Sequence, residues 1–298
     1  MFLLFLTYKF LLKNNFKIVP VYINHKVRTK KEIENDIKTI KTFCENYDLN
    51  FITEEINPKK FDENTLRILR YEKIFEISKK QNCNLIFTGH TQNDVVETFF
   101  INLLRGSGIK GLCSITPVRE IEKFNKKFYI VRPIIDIKKE EIIKILQKQN
   151  IKYVIDTTNL KLNYTRNFLR NKILPLFKKI NSKFENNILS TIEILTQTDN
   201  FVSEIIKEKF QNSVKQNNSY VYIDLNKFLM YNDFAKKEIL HRTISGLALK
   251  KNLNFKQGYK KIVNKIIDFI NDKKNILEIN KNFKLKKINK KLYMIIEL

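Results

Sequence analysis

The sequence predicts an α/β protein, with a mostly parallel sheet over residues 1–180 and a smaller, mainly helical domain over residues 181–298. Three observations carry this. Short apolar runs of β type alternate with helical periods through the first half, at the spacing of βαβ units. One such run, Leu85–Thr88, ends at Gly89-His90 and gives way within a few residues to a helical period. From about Asn181 the strand signals fade and helical segments dominate, until apolar and basic residues alternate again near the C-terminus.

Taken in order, Met1–Asn14 is apolar almost throughout and reads as a buried helix. It lacks the basic leader and small-residue cleavage site of a signal peptide and is too short to span a bilayer, so no membrane partner is expected. Lys17–Ile23 reads as a strand ending at Asn24-His25, Lys30–Tyr47 as a charged amphipathic helix, Leu49–Thr53 as a strand and Phe61–Gln81 as a helix. The Leu85–Thr88 strand and the Asp94–Leu104 helix follow, then a Tyr129–Val131 strand before Arg132-Pro133 and a helix over Lys138–Gln149. A domain boundary is expected near residues 176–182, just after Pro175. Beyond it, Phe184–Thr196, Phe201–Gln211, Asp233–Leu247 and Tyr259–Asn271 read as helices, and Phe283–Leu298 as a hairpin turning at Asn289-Lys290.

The chemistry concentrates in residues 89–112. At about 100° per residue, Val95, Val96, Phe99, Phe100 and Leu103 share one side of the helix, and Asp94, Glu97 and Arg105 the other. Two carboxylates at i and i+3 thus stand in the first turn, just past the C-terminal end of a strand, where open α/β sheets bind ligands. Gly106-Ser107-Gly108 stops the helix. A solvated face with a satisfied ion pair accounts for an isolated acid pair. The His at the strand end and the Arg on the same face favour a site.

Lys and Arg total 56 against 31 acids, a formal charge of +25, which argues for a polyanionic partner such as nucleic acid. Abundant Lys, Asn and Ile with few Gly and no Trp also fit an AT-rich coding bias, so charge alone is partial evidence. The cysteines Cys44, Cys83 and Cys113 are scattered, and no zinc site or disulfide framework is expected. That pattern suits a reducing compartment, the cytoplasm or alternatively a plastid stroma.

Four blocks then occur in order: Asn24-His25 with Arg28; Arg67-Ile68-Leu69-Arg70-Tyr71; Gly89–Leu112; and Asp156-Thr157-Thr158-Asn159 with Tyr164-Thr165-Arg166-Asn167-Phe168-Leu169-Arg170 and Pro175. The set resembles the tRNA(Ile)-lysidine synthetases, a family of PP-loop ATP-pyrophosphatases with the adenine nucleotide α-hydrolase fold. The resemblance runs over residues 1 to about 180 and is weak beyond. It implies a ligase that adenylates C2 of the wobble cytidine in a tRNA(Ile) with a CAU anticodon, using ATP and Mg2+ and releasing pyrophosphate. The side-chain amine of free L-lysine then displaces AMP. Phosphate charge calls for Arg, Lys and a divalent cation, and the two amino groups of lysine call for carboxylates. The resemblance assigns Asp94 and Glu97 to lysine. With them, His90 and Arg105 are the catalytic candidates, and Asn24, His25, Gly89, His90 and Arg105 the ATP candidates. Arg67, Arg70, Arg132, Arg166 and Arg170 are the tRNA candidates, although ion pairs between Arg166 or Arg170 and nearby acids fit the same i,i+4 spacing. No protein metal site is expected, and a homodimer stays open.

One family feature has no counterpart. The family opens with a strand and a Ser-Gly-Gly-x-Asp-Ser loop whose N–H groups hold the ATP phosphates. Met1 falls just after the position of that motif's last Ser. The expectation is that ATP binding needs a segment upstream of Met1, with a strand-wide gap beside the first helix in its absence. Two other readings remain: a non-catalytic tRNA-binding relic, and a PP-loop tRNA thiolase, against which the isolated cysteines argue.

Overall fold

In the computed structural model the chain forms two compact units, Met1–Thr196 and Gln197–Leu298. The structure describes all residues except 12–13, 15, 155–164, 217–219, 252–257 and 297–298. Strand–helix alternation in the first unit ends with the helix Lys139–Lys148, and the compact units divide between Thr196 and Gln197, inside one long helix, rather than at residues 176–182.

The first unit opens with α1 (Phe2–Leu11), β1 (Val21–Asn24), α2 (Lys30–Asn46), β2 (Ile52–Glu55) and α3 (Glu63–Lys80). It continues with β3 (Leu85–Phe87), α4 (Gln92–Leu104), α5 (Ile109–Leu112), β4 (Val118–Lys123), β5 (Lys126–Val131) and α6 (Lys139–Lys148). After it come α7 (Thr165–Phe168), a π-helical turn over Leu169–Ile173, α8 (Leu174–Ile180) and the start of α9 (Phe184–Ser213). The start of α2 is a capping box: the Thr29 hydroxyl accepts from Glu32 N–H, and the Glu32 carboxylate accepts from Thr29 N–H. In α8, Pro175 has no N–H to give to the turn before it, a physical reason for the wide π turn that precedes it.

β1 pairs in parallel with β2, and β3 in parallel with β5. These pairs belong to separate sheets, β1-β2 and β3-β5-β4, and among the described residues no strand joins β1 to β3. The antiparallel β4 was not foreseen; its charged, mostly exposed residues hide the alternation. The signal for it was the Phe124-Asn125 turn, both residues at positive φ. Phe75, Ile86, Phe128 and Ile130 form one core of this unit, and Phe2, Phe5, Phe43, Ile134, Ile142 and Leu146 another. The apolar first helix is buried as expected, through Phe2 and Phe5.

The second unit holds the rest of α9, then β6 (Val214–Gln216), β7 (Val221–Asp224), α10 (Leu225–Leu229), α11 (Asp233–Lys251), α12 (Tyr259–Asn271), β8 (Ile276–Asn280), β9 (Phe283–Ile288) and β10 (Lys291–Ile296). The expected terminal hairpin is present as β9-β10, inside a larger antiparallel sheet of order β6-β7-β10-β9-β8. Ile223, Leu285, Leu292 and Phe283 from its inner face are fully buried with Ile239, Leu240, Ile244 and Ile266 from the helices. No described helix is long and apolar enough to cross a membrane.

At the hairpin tip Asn289 (φ 47°) and Lys290 (φ 59°) both adopt the left-handed conformation that a two-residue turn of this kind needs. For Lys290 that costs about 1 kcal/mol, which glycine avoids. Lys290→Gly is therefore expected to stabilise the protein by roughly 0.5–1 kcal/mol in urea unfolding, and a destabilised variant contradicts this account of the turn.

Candidate active site

β3 delivers the chain to Thr88-Gly89-His90-Thr91, and Thr91 caps α4. Asp94, at the third helical position, accepts on Oδ2 from both Thr91 N–H and Thr91 Oγ1, each at 2.8 Å. The other oxygen of Asp94 faces outward and accepts from Arg166 Nη2 at 2.7 Å. One turn on, Glu97 Oε2 accepts from Arg166 Nε at 2.7 Å and Arg170 Nη2 at 2.8 Å, and Oε1 from Arg170 Nε at 2.5 Å. Two acids and two arginines thus form one charge-assisted network across α4, α7 and the π-helical turn.

The network alters the sequence picture. Glu97 was expected on an exposed face and is instead 1% exposed, because Arg166 of α7 and Arg170 of the π-helical turn close over it. Arg166 and Arg170, candidates for tRNA phosphates, are held by carboxylates. Burial works against the Arg166 charge, but Asp94 and Glu97 outweigh it and raise its pKa. Arg105 is not brought to the acids. It is the exposed C-cap of α4, roughly 16 Å along the axis from Asp94 at 1.5 Å per residue. There Gly106 (φ 70°) closes the helix, with Gly106 N–H donating to Leu103 C=O and Ser107 N–H to Asn102 C=O.

His90 accompanies the acids. Its Nδ1 lies 2.9 Å from Thr88 Oγ1. Burial, against the opposing pull of Asp94 and with help from Arg132, Arg166 and Arg67, pushes its pKa down to about 4, so the imidazole is neutral at pH 7. A histidine depressed in the folded state binds its proton less readily than in the unfolded chain, where the value is about 6.5. Between those two values the unfolded state holds more protons, so His90 makes stability fall as pH is lowered from 6.5 to about 4. His90→Gln should flatten that part of the urea-midpoint profile, and an unchanged slope speaks against a half-buried, neutral His90.

Arg132, at the end of β5, is 4% exposed; it donates from Nη1 to Thr116 C=O at 2.6 Å, and its Nε has no hydrogen-bond partner. Burial lowers its pKa, with Tyr71 acting in the opposite sense. On α3, Arg67 and Arg70 lie over the Tyr71 ring at 5.3 and 5.8 Å. Arg67 is exposed, whereas burial, with Arg67 and Arg166 nearby, lowers the pKa of Arg70. Gly89 is exposed, with open space where a Cβ would stand.

A cavity of about 450 Å³ opens at the C-terminal end of β1, lined among others by Tyr22, Asn24, His25, Arg28, Asp36 and Arg70. Asn24 is fixed on both sides, donating to Glu55 Oε1 at 3.0 Å and accepting from Lys26 N–H at 2.8 Å. The sequence reading missed Asp36. It is ion-paired with Arg28 and accepts from Tyr22 Oη at 3.1 Å, while its buried Oδ1 has no partner. An acid eight residues beyond Arg28 in a charged helix gives no signal of that contact. The block Asp156-Thr157-Thr158-Asn159 and Tyr164 lie outside the described residues.

Polar clusters at the C-terminal ends of parallel strands, each followed by a helix, define a ligand-binding α/β domain of the open-sheet class. The chain belongs to the PP-loop domain family ATP_bind_3, whose model matches residues 1–177. It is 31% identical over 240 residues to a tRNA(Ile)-lysidine synthase of Clostridioides difficile, covering 77% of this chain and 50% of that protein. It is 33% identical over 286 residues to one of Buchnera aphidicola, covering 94% of this chain and 60% of that protein. The chain thus spans about half the length of the first curated relatives it matches. Among solved structures it resembles the U34-tRNA thiolase NcsA of Methanococcus maripaludis, which carries a [4Fe-4S] cluster. The TM-score is 0.52 at 16% identity, covering 66% of this chain and 68% of that one, a likeness of fold alone.

Proposed function

We propose that this protein is a tRNA(Ile)-lysidine synthase. In that reading the O2 oxygen of the wobble cytidine attacks the α-phosphate of ATP, forming an O–P bond as pyrophosphate leaves. The side-chain amine of lysine then attacks C2, a C–N bond forms, the C2–O bond breaks, and AMP departs with both electrons. The observation that carries the reading is the pair of carboxylates Asp94 and Glu97 in the first turns of α4, where the arginine network already engages three of their four oxygens and Thr91 the fourth. An ammonium group satisfies such oxygens as a guanidinium does. Lysine would enter by taking over Asp94 Oδ1, the more open acceptor, while Arg166 turns toward the phosphates.

Asn24, His25 and Arg70 would serve the nucleotide from the cavity beside β1. Neutral His90 would offer a hydrogen bond to base or nucleotide without adding charge. Arg105, far along α4, fits a phosphate at the rim better than the reacting centre. The described residues do not fit a protein-held Mg2+: no group of three His, Cys, Asp or Glu gathers, and Asp94 and Glu97 already pair with arginines.

The test is incubation of the protein, together with any segment that precedes Met1, with ATP, lysine and an unmodified tRNA(Ile) carrying CAU. The expected result is AMP release that needs both lysine and tRNA, with the tRNA gaining the mass of lysine less water. Sulfur in place of lysine in the product would mean a thiolase. Tight tRNA binding without AMP would mean a binding protein.

A further inference from the structure

The outer face of the C-terminal sheet carries an aromatic and basic platform. Register places Lys215, Tyr222, Tyr293, Lys286 and Ile276 directly opposite one another, so that they form one row across all five strands. The alternate residues Val221, Ile223, Leu285, Leu292 and Met294 point the other way and are buried. This row therefore faces away from the core. Tyr220 joins it, with ring centroids 6.1 Å from Tyr222 and 5.7 Å from Tyr293, while Tyr222 and Tyr293 are 5.4 Å apart. Lys291 holds its ammonium 4.7 Å above the Tyr222 ring. Tyr220 is 45% exposed and Ile276 55%. Of the acids on this face, Glu278 is paired with Lys284 at 3.2 Å and Asp224 caps α10.

A solvated face of a basic sheet needs lysines but not three clustered tyrosines. A buried protein interface would be expected to be depleted of lysine. Stacking rings bordered by ammonium groups match the chemistry of unpaired bases on a phosphate chain, which sheets commonly read in this manner. We propose that this face binds single-stranded RNA, with two or three successive bases stacked on Tyr220, Tyr222 and Tyr293 and their phosphates on Lys215, Lys286 and Lys291. Lysines on this face also match the overall charge of +25. The proposal rests on the RNA part of the reading above and adds a site within the second unit.

The experiment uses the whole protein and a fluorescent single-stranded oligoribonucleotide, with its duplex as control. The Tyr222→Leu and Tyr293→Leu variants should each weaken single-strand binding about tenfold or more, whereas Tyr222→Phe and Tyr293→Phe, which keep the ring, stay near wild type. Lys286→Gln should reduce the salt dependence of binding. The wild-type protein supplies an independent readout, since cross-linking to thiouridine-substituted RNA should label peptides containing Tyr222 or Tyr293. Leucine variants that bind as wild type, or cross-links confined to the N-terminal unit, overturn the proposal. So does a dimer that the leucine variants dissolve and RNA does not compete. Lysine-dependent AMP release measured in parallel separates the two readings: RNA stacking without AMP release sinks only the ligase, and the reverse sinks only the platform.

Discussion

Glu97→Gln is expected to destabilise the protein by about 3–5 kcal/mol, the cost of removing one partner of a buried ion pair. Glu97 is 1% exposed and accepts hydrogen bonds from both Arg166 and Arg170. Glutamine keeps the volume but removes the charge, and it sets an NH2 donor against guanidinium donors. Asp94→Asn should cost less, about 1–2 kcal/mol, because Asp94 is 19% exposed and the loss is mainly that of a helix cap. Urea unfolding of both variants measures this, and a Glu97→Gln protein within about 0.5 kcal/mol of wild type contradicts the network's energetic role. A double-mutant cycle with Arg170→Met should return a large coupling, since the two side chains touch.

Affinity for tRNA is expected to collapse with salt. If about six phosphates are contacted, raising salt from about 50 to 200 mM should cost on the order of 10³-fold. The structure changes which arginines should set that slope. Exposed Arg67 should contribute, so Arg67→Gln lowers the slope by about one contact. Arg166 and Arg170 already neutralise acids, so their removal should damage stability and lysine use more than the slope. Filter binding over a salt series separates these outcomes, and salt-insensitive binding sinks the electrostatic account.

The legible parts of the fold were those with strong local periodicity. The helices α2, α3, α4, α6 and α12 lie within a few residues of where apolar spacing placed them. The hairpin at Asn289-Lys290 was legible from its turn chemistry. β4 was missed because a charged, exposed strand has no apolar alternation to display. β6, β7 and β8 are short or half-exposed, and β7 draws part of its pairing from β10, distant in sequence. In the site, Asp94, Glu97 and His90 came together as sequence spacing implied, because a strand end and one helical turn fix them locally. Their closure by Arg166 and Arg170, about seventy residues later, depends on tertiary packing, so spacing fixed which arginines share a side but not what they meet. Arg105 shows the converse error: angular position on a helical wheel ignores the rise along the axis.

The central claim is that the α4 acids receive the amino groups of lysine. Its most direct test is Asp94→Asn in a reaction split into halves, pyrophosphate release with tRNA and ATP alone, then AMP release on addition of lysine. The account predicts that pyrophosphate release stays close to wild type while kcat/KM for lysine falls on the order of 10²-fold, about 2.7 kcal/mol of lost transition-state interaction. Lysine kinetics unchanged in a folded Asp94→Asn protein would contradict it.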